Sequence, residues 1–123
     1  VLIERGGGTM IYTSSGAAIS GKPLQVAYPM TKNALHALVR HVAPKFGKQG
    51  IRANGICPGV VLTEAVAQHL TQDYVTSMLE SLPHRRLGQP DDIAGAVAFL
   101  ASDDGEWVNG QLWHVNGGSL LRD

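Results

Sequence analysis

The sequence has a single cysteine, no net charge and no long apolar run. The lone thiol of Cys57 cannot form an internal disulfide, which excludes a disulfide scaffold and favours a reducing, cytoplasmic location. Basic and acidic residues number 10 each, so the composition indicates neither a nucleic acid nor an anionic membrane as a partner. No segment reaches the roughly 20 apolar residues of a transmembrane helix, and no signal peptide is evident.

The composition is that of a folded chain, with 44% hydrophobic and 16% charged residues among 123. This length is enough for one domain with a modest core. The first residue is Val1 and not methionine, and a strand-like segment follows almost at once. We therefore expect the sequence to begin within a longer domain.

The densest chemistry lies in the stretch from Ser14 to Lys32. Ser15 comes thirteen residues before Tyr28, and Lys32 follows that tyrosine by four. A four-residue step on a helix is one turn, so Tyr28 and Lys32 are expected to share a face. An ammonium group beside a phenol stabilises the phenolate, which makes tyrosine a usable proton donor or acceptor. The Ser15 hydroxyl can hydrogen-bond a reacting oxygen.

Each of these residues also has an ordinary structural interpretation. Tyrosine and lysine four residues apart occur by chance in many helices. Ser15 can equally be a cap in the turn after a strand. The pattern alone therefore leaves both interpretations open.

Apolar and β-branched segments predict three strands, and helical periodicity predicts three helices. The predicted strands are residues 9–13, 50–57 and 111–115. The first helix is expected to begin at Pro29, because proline suits the first helical position, with Tyr28 at its entrance. Its predicted core stripe comprises Ala34, Leu35, Leu38, Val39, Val42 and Ala43. The other helices are predicted over residues 64–82 and from residue 91 to about 101, and residues 16–26 and 83–90 are predicted loops.

Alternation of strands and helices is the signature of βαβ units and a parallel sheet. This arrangement predicts an α/β fold of the form β-α-β-α-β. Ser15 then lies just beyond the carboxyl end of a parallel strand, which is where ligands bind in open α/β sheets.

The histidines are assigned structural roles. We expect His36 and His41 to lie at the surface or in an interface, and Cys57 to be a small buried hydrophobe. The remaining histidines show no metal-ligand spacing with the cysteine or with carboxylates, so no metal site is predicted. These are His69, His84 and His114.

Five pieces in this order resemble the carboxyl-terminal half of a classical short-chain dehydrogenase/reductase. They are the strand ending in Ser14-Ser15 with Tyr28-x-x-x-Lys32; Ile51-Arg52-Ala53-Asn54; Cys57-Pro58-Gly59 followed by Thr63; Asp92-Ile93-Ala94 through Phe99-Leu100-Ala101-Ser102; and Asn109-Gly110-Gln111 with Val115-Asn116-Gly117-Gly118. The resemblance covers nearly the whole chain. It implies the carboxyl-terminal part of a Rossmann-like, doubly wound, three-layer parallel sheet, with residues 1–123 forming part of a single NAD(P)-binding domain.

The same resemblance implies catalytic roles for three residues. Tyr28 would be the general acid in reduction and the general base in oxidation. Lys32 would stabilise the phenolate and hydrogen-bond the nicotinamide ribose, while Ser15 would hold the substrate oxygen. The implied activity is hydride transfer between NAD or NADP and the carbonyl or alcohol carbon of a small substrate.

The resemblance also implies a cofactor surface and partners. Pro58, Gly59 and Val61 would lie along the nicotinamide, with Thr63 contacting its carboxamide or the phosphates. Residues 64–86 would cover the substrate. The family's last helix and strand often pack across a subunit interface, which implies a homo-oligomer, a dimer or tetramer. Trp107 and Trp113 flank that predicted strand.

The sequence departs from the family pattern in two respects. The glycine-rich phosphate loop and the family's catalytic asparagine are absent from these residues, and Gly6-Gly7-Gly8 leads into a strand where the fingerprint must lead into a helix. Proline directly after the tyrosine is also less usual. We therefore expect the 123-residue chain alone to be inactive. The alternative is a truncated, non-catalytic remnant that acts only through its interfaces.

Overall fold

Three parallel strands form the sheet in the computed structural model, which describes residues 1–20 and 26–121. They are β1 (Gly8–Thr13), β2 (Ile51–Pro58) and β3 (Leu112–Val115), in the order β1-β2-β3. Thr13 lies opposite Ile56, and Pro58 lies opposite Val115. All three strands therefore end at the same edge of the sheet, and the predicted parallel α/β arrangement is confirmed.

The helices of the described residues are α1 (Ala17–Ser20), α2 (Ala27–Phe46), α3 (Glu64–Ala67), α4 (Gln72–Ser81) and α5 (Pro90–Ala101). Short 3₁₀ turns occur at Ile3–Arg5, Gly47–Gln49 and Asp103–Gly105. Across residues 1–20 and 26–121, none of the helices combines the length and apolar character needed to cross a bilayer.

The predicted start of α2 is wrong by two residues. The helix begins at Ala27, so Pro29 is its third residue. The first four N–H groups of a helix have no acceptor within it, so proline is tolerated there as well. The predicted loop over residues 16–26 contains α1, and the part of that loop at residues 21–25 lies outside the described residues.

The single helix predicted over residues 64–82 is two helices. The chain leaves α3 after Ala67, and α4 begins with Thr71 as its N-cap residue, whose Oγ1 accepts a hydrogen bond from the Tyr74 N–H at 3.3 Å. Capping by threonine stabilises the start of a helix. The apolar spacing continues across this break, which is why periodicity alone predicted one helix.

Strand β2 carries the core, and its two faces contact different helices. Buried Ala53 and Cys57 lie on the face of β2 toward α2. The buried residues of α2 are His36, Val39, Val42 and Ala43. Side chains on the opposite face reach the end of α5 and the segment that follows it. Helices on both faces of a parallel sheet give the expected three layers.

The buried stripe of α2 differs from the predicted one. His36 is only 1% exposed, so its predicted location at the surface or in an interface is wrong, whereas Leu38, predicted to lie in the core, is 39% exposed. The helix contacts β1 and β2 along one narrow face, and residues 36, 39, 42 and 43 repeat at helical spacing on it. The apolar pattern of the sequence does not indicate this face of α2, because one of its buried residues is a histidine.

The Ile-Arg-x-Asn motif has a structural role in this fold. Arg52 donates to the Leu100 and Ser102 carbonyl oxygens at the end of α5, at 2.8 and 3.3 Å. Asn54 is fully buried; its Nδ2 donates to the Val108 carbonyl at 2.8 Å, and its Oδ1 accepts from the Gln111 N–H at 3.0 Å. These side chains fix the segment that leads from α5 into β3.

Replacing Asn54 with alanine is expected to destabilise the full-length natural protein by about 2–4 kcal/mol, because two backbone groups lose their partners in a buried place. Urea unfolding followed by circular dichroism measures this change. The matched control is Asn33→Ala, which removes a single bond, to the Ala18 carbonyl, from an exposed residue. Equal losses of stability in the two variants would contradict the structural role of Asn54.

Candidate active site

Main-chain hydrogen bonds join the carboxyl ends of the three strands to the residues that follow β1 and β2. The Ser14 N–H donates to the Ile56 carbonyl at 2.7 Å, and the Gly16 N–H donates to the Pro58 carbonyl at 3.4 Å. The Gly59 N–H donates to the Val115 carbonyl at 3.1 Å. These bonds build one continuous surface at the carboxyl edge of the sheet, where open α/β sheets bind their ligands.

Tyr28 and Lys32 lie together over this edge, on the first two turns of α2. The Lys32 ammonium nitrogen is 5.7 Å from the centroid of the Tyr28 ring, which is within the range of a cation–π contact. The same nitrogen donates to the Thr13 carbonyl at the end of β1 at 2.9 Å. Tyr28 is 48% exposed. The predicted one-turn relation of the two residues is confirmed, and their polar ends can meet a ligand.

Ser15 occupies the turn that follows β1, as predicted. Its Oγ accepts a hydrogen bond from the Ala17 N–H at 3.1 Å. A hydroxyl that accepts in this way still has its own proton to donate. The Asn33 side chain donates to the Ala18 carbonyl at 3.0 Å, which ties α1 to α2. The turn carrying Ser15 is thus attached to the helix that carries Tyr28 and Lys32.

Pro58 and Gly59 lie where β2 ends, beside the end of β3. A Cβ atom added to Gly59 would lie 2.9 Å from the Asn116 Cα, which is too close for any larger residue. The close approach of the two strand ends therefore explains this glycine without reference to a ligand.

Val61 and Thr63 belong to the segment that leads away from β2. The Gly88 N–H donates to the Val60 carbonyl and the Leu62 N–H donates to the Gly88 carbonyl, so Val61 and Gly88 form a short parallel bridge. Thr63 caps α3, because its Oγ1 accepts from the Val66 N–H at 3.2 Å. The bridge fixes the start of the segment predicted to cover the substrate.

The end of that segment is fixed by an ion pair. The Arg86 guanidinium donates to both carboxylate oxygens of Asp92, at 2.7 and 2.9 Å, and the Gln89 N–H donates to one of them at 2.7 Å. The Arg86 bonds hold the pKa of the Asp92 carboxyl well below its usual range. Asp92 accordingly serves at the start of α5, and Arg86 is held in an ion pair with it.

A small cavity of about 80 Å³ lies behind this segment, lined in part by Met78, Leu82 and Gly117. Small-molecule sites usually enclose roughly 300–1,000 Å³. The cavity is therefore too small for a substrate, and Tyr28 is not among its lining residues.

Sequence reasoning missed a buried polar cluster beneath the surface. The Ser14 Oγ lies 2.7 Å from Nε2 of His36, and the Cys57 Sγ lies 3.6 Å from the same nitrogen. Burial lowers the pKa of His36, and nearby Arg40 and His114 act in the same direction. Burial also raises the pKa of the Cys57 thiol. The only sequence signal was a histidine at helical spacing with buried apolar residues.

The described residues contain no group of three or more histidine, cysteine, aspartate or glutamate side chains that could hold a metal ion. The polar groups at the edge of the sheet are instead a phenol, an ammonium group and a hydroxyl. These groups can donate hydrogen bonds to an oxygen and can move a proton to or from it.

Comparison with known proteins gives matches across nearly the whole chain. The family model described as enoyl-(acyl carrier protein) reductase matches residues 2–119. The 7alpha-hydroxysteroid dehydrogenase of Escherichia coli (strain K12) is 41% identical over 119 residues, which are 96% of this chain and 47% of that protein. The L-rhamnose 1-dehydrogenase (NAD(P)(+)) of Sphingomonas sp. (strain SKA58) is 39% identical over 116 residues, which are 94% of this chain and 46% of that protein.

The fold matches solved structures equally well. A 7 alpha-hydroxysteroid dehydrogenase complexed with NADH and 7-oxo glycochenodeoxycholic acid superposes with a TM-score of 0.91 at 40% identity, covering 98% of this chain and 48% of that chain. The chain spans about half the length of the curated relatives that it matches. Family model, identity and fold agree, and the chain belongs to the short-chain dehydrogenase/reductase family.

Proposed function

We propose that the protein containing this chain is an NAD(P)-dependent oxidoreductase that interconverts an alcohol and a carbonyl compound. The observation that carries the proposal is the position of Tyr28 beside Lys32, with 5.7 Å between the ring centroid and the ammonium nitrogen. The pair lies at the carboxyl edge of the sheet, next to the turn with Ser15. The hydroxysteroid and sugar dehydrogenases among the relatives support the same reaction class.

The polar groups at this edge fit the nicotinamide end of such a cofactor. Lys32 uses one N–H on the Thr13 carbonyl, which leaves two further donors for the hydroxyls of a ribose. The Thr63 Oγ1 accepts from the Val66 N–H and has its own proton to donate. We assign Tyr28, Lys32, Pro58, Gly59, Val61 and Thr63 to this contact surface. When bound, NAD or NADP supplies or accepts the hydride.

The side chains of the chain handle the substrate oxygen and its proton. In reduction, Tyr28 donates its phenolic proton to the carbonyl oxygen; in oxidation, the phenolate takes the proton from the alcohol. Lys32 stabilises the phenolate through its charge. Ser15 donates a hydrogen bond to the same oxygen and so fixes its position. These three groups are the proposed catalytic residues.

The substrate is proposed to be a small alcohol or ketone, and the protein a homo-oligomer. The relatives include a hydroxysteroid dehydrogenase and an L-rhamnose dehydrogenase. Both a steroid and a sugar fit the proposed reaction, because it involves only the carbon that bears the oxygen. Trp107 is 98% exposed, and Phe99, which stacks on Trp113 at 5.3 Å, is 37% exposed. Exposed aromatic residues on the α5 and β3 side support contact between copies.

The proposal is tested with the full-length natural protein and the isolated 123-residue chain. Each is mixed with NADH or NADPH and a panel of steroid and sugar ketones, and the absorbance of the reduced nicotinamide is followed. We expect turnover from the full-length protein and none from the isolated chain, because a dinucleotide also needs a glycine-rich loop before a helix. A full-length protein without turnover or nucleotide binding would favour the non-catalytic alternative, and turnover by the isolated chain would contradict the predicted half site.

A further inference from the structure

Ser14 is a buried junction between the sheet and helix α2. Its N–H donates to the Ile56 carbonyl in β2, and the residue is 3% exposed. Its Oγ donates to the Lys32 carbonyl at 3.0 Å and lies 2.7 Å from Nε2 of His36. Both helical partners belong to the turns that follow Tyr28.

The proton positions in this junction follow from counting donors. A serine hydroxyl has one proton. If that proton is donated to the Lys32 carbonyl, the Oγ atom accepts from His36, which requires the imidazole proton on Nε2. The opposite arrangement gives the hydroxyl proton to Nε2 and leaves the bond to Lys32 unmade. The first arrangement makes both bonds. Burial lowers the pKa of His36 and so favours a neutral imidazole, whose one proton this arrangement places on Nε2.

Lys32 is consequently attached to β1 at two points. Thr13 accepts from its ammonium group at 2.9 Å, and the next residue, Ser14, donates to its main-chain carbonyl at 3.0 Å. A side-chain bond alone leaves the helix turn free to shift along the strand end. The second attachment holds the backbone of the turn, and Tyr28 lies one turn earlier on the same helix.

We propose that Ser14 and His36 are positioning residues. The Nε2–H of His36 orients the Ser14 hydroxyl, and that hydroxyl holds the Lys32 turn at the end of β1. The role rests on the proposed function of Tyr28 and Lys32. Displacement of a catalytic group by about 1 Å can lower a rate about 10²-fold. The Ser14 bond therefore affects kcat more than it affects binding of either substrate.

The test uses Ser14→Ala, His36→Leu and His36→Gln in the full-length natural protein. Leucine fills the buried site without a donor, whereas the glutamine amide places an N–H at a similar distance along the side chain. We expect Ser14→Ala and His36→Leu to lower kcat about 10- to 100-fold with KM changed less than about threefold, and His36→Gln to recover most of the loss. A His36→Leu enzyme with normal kcat, or a His36→Gln enzyme no better than it, overturns the proposal.

The matched control is Cys57→Ala, which removes the third member of the cluster and keeps the partner atoms of the Ser14 bonds to Lys32 and to His36. We expect it to lower the thermal midpoint while kcat stays within about twofold, since a buried thiol packs as a small hydrophobe. A loss of kcat equal to that of Ser14→Ala would mean that any damage to this core slows the enzyme, and it would overturn the specific role of the hydrogen bond.

A second readout separates this proposal from the proposed function. Nitrogen-15 NMR of the imidazole distinguishes the two neutral tautomers and needs no turnover. We expect His36 of the wild-type protein to carry its proton on Nε2, and a proton on Nδ1 overturns the proposal even in an active enzyme. If the wild-type protein transfers no hydride, the proposed function fails, and the positioning role built on it is overturned with it, whatever the tautomer.

Discussion

Replacing Tyr28 with phenylalanine is expected to lower kcat of the full-length protein about 10³-fold, the typical contribution of a positioned acid–base group. Phenylalanine keeps the ring that contacts the Lys32 ammonium group and removes only the hydroxyl. Affinity for the reduced nucleotide is therefore expected to change less than about threefold. Steady-state kinetics measures the first quantity, and a fluorescence titration of bound NADH or NADPH measures the second.

The control for this change is Tyr12→Phe. The Tyr12 hydroxyl, in β1, donates to the Met10 sulfur at 3.6 Å. Its loss is expected to leave kcat within about twofold of the wild type, since a hydroxyl–sulfur contact is weak. If the Tyr28→Phe enzyme keeps more than about a tenth of the wild-type kcat, Tyr28 does not act in the proton-transfer step.

The parts of the fold that sequence could predict are those determined by local composition. The β-branched segment at residues 9–13 and the apolar segment at residues 50–57 became β1 and β2 with ends shifted by one residue at most. The break before α4 has a local signal, since Thr71 followed by Gln72-Asp73 is a typical helix start. A continuing apolar period outweighed that signal in the prediction.

The candidate site likewise has a part that local sequence predicts and a part that depends on the packing of the helix on the sheet. The contact between Tyr28 and Lys32 depends on a single helical turn, so spacing alone predicted it. The bonds from Ser14 to Lys32 and His36 connect residues 18 and 22 positions apart. They exist because the packing of α2 on the sheet brings one face of the helix to the end of β1. No local pattern contains that information, so the sequence predicts His36 at the surface or in an interface and not in the core.

Replacing Lys32 with methionine is expected to lower kcat/KM about 10³-fold, because the side chain serves two purposes. Its charge is proposed to stabilise the Tyr28 phenolate, and its remaining N–H groups are proposed to bind the ribose. Nucleotide affinity should therefore fall about tenfold, the value of a lost hydrogen bond to a charged group. Arginine at this position is expected to recover only part of the loss, because its planar fork does not reproduce a compact ammonium group.

The same helix offers a matched control in Lys45, whose ammonium nitrogen lies 5.3 Å from the centroid of the Phe46 ring. Lys45→Met removes the same charge from the same kind of aromatic contact, at the end of α2 far along the chain from Tyr28. We expect its kcat and nucleotide affinity to stay within about twofold of the wild type, because an exposed charge contributes little. Equal losses of kcat and nucleotide affinity in Lys32→Met and Lys45→Met would contradict a specific role of Lys32. They would indicate that the loss of either positive charge on α2 lowers activity. A large loss confined to Lys32→Met would instead support a direct role at the edge of the sheet, where this lysine also holds the end of β1.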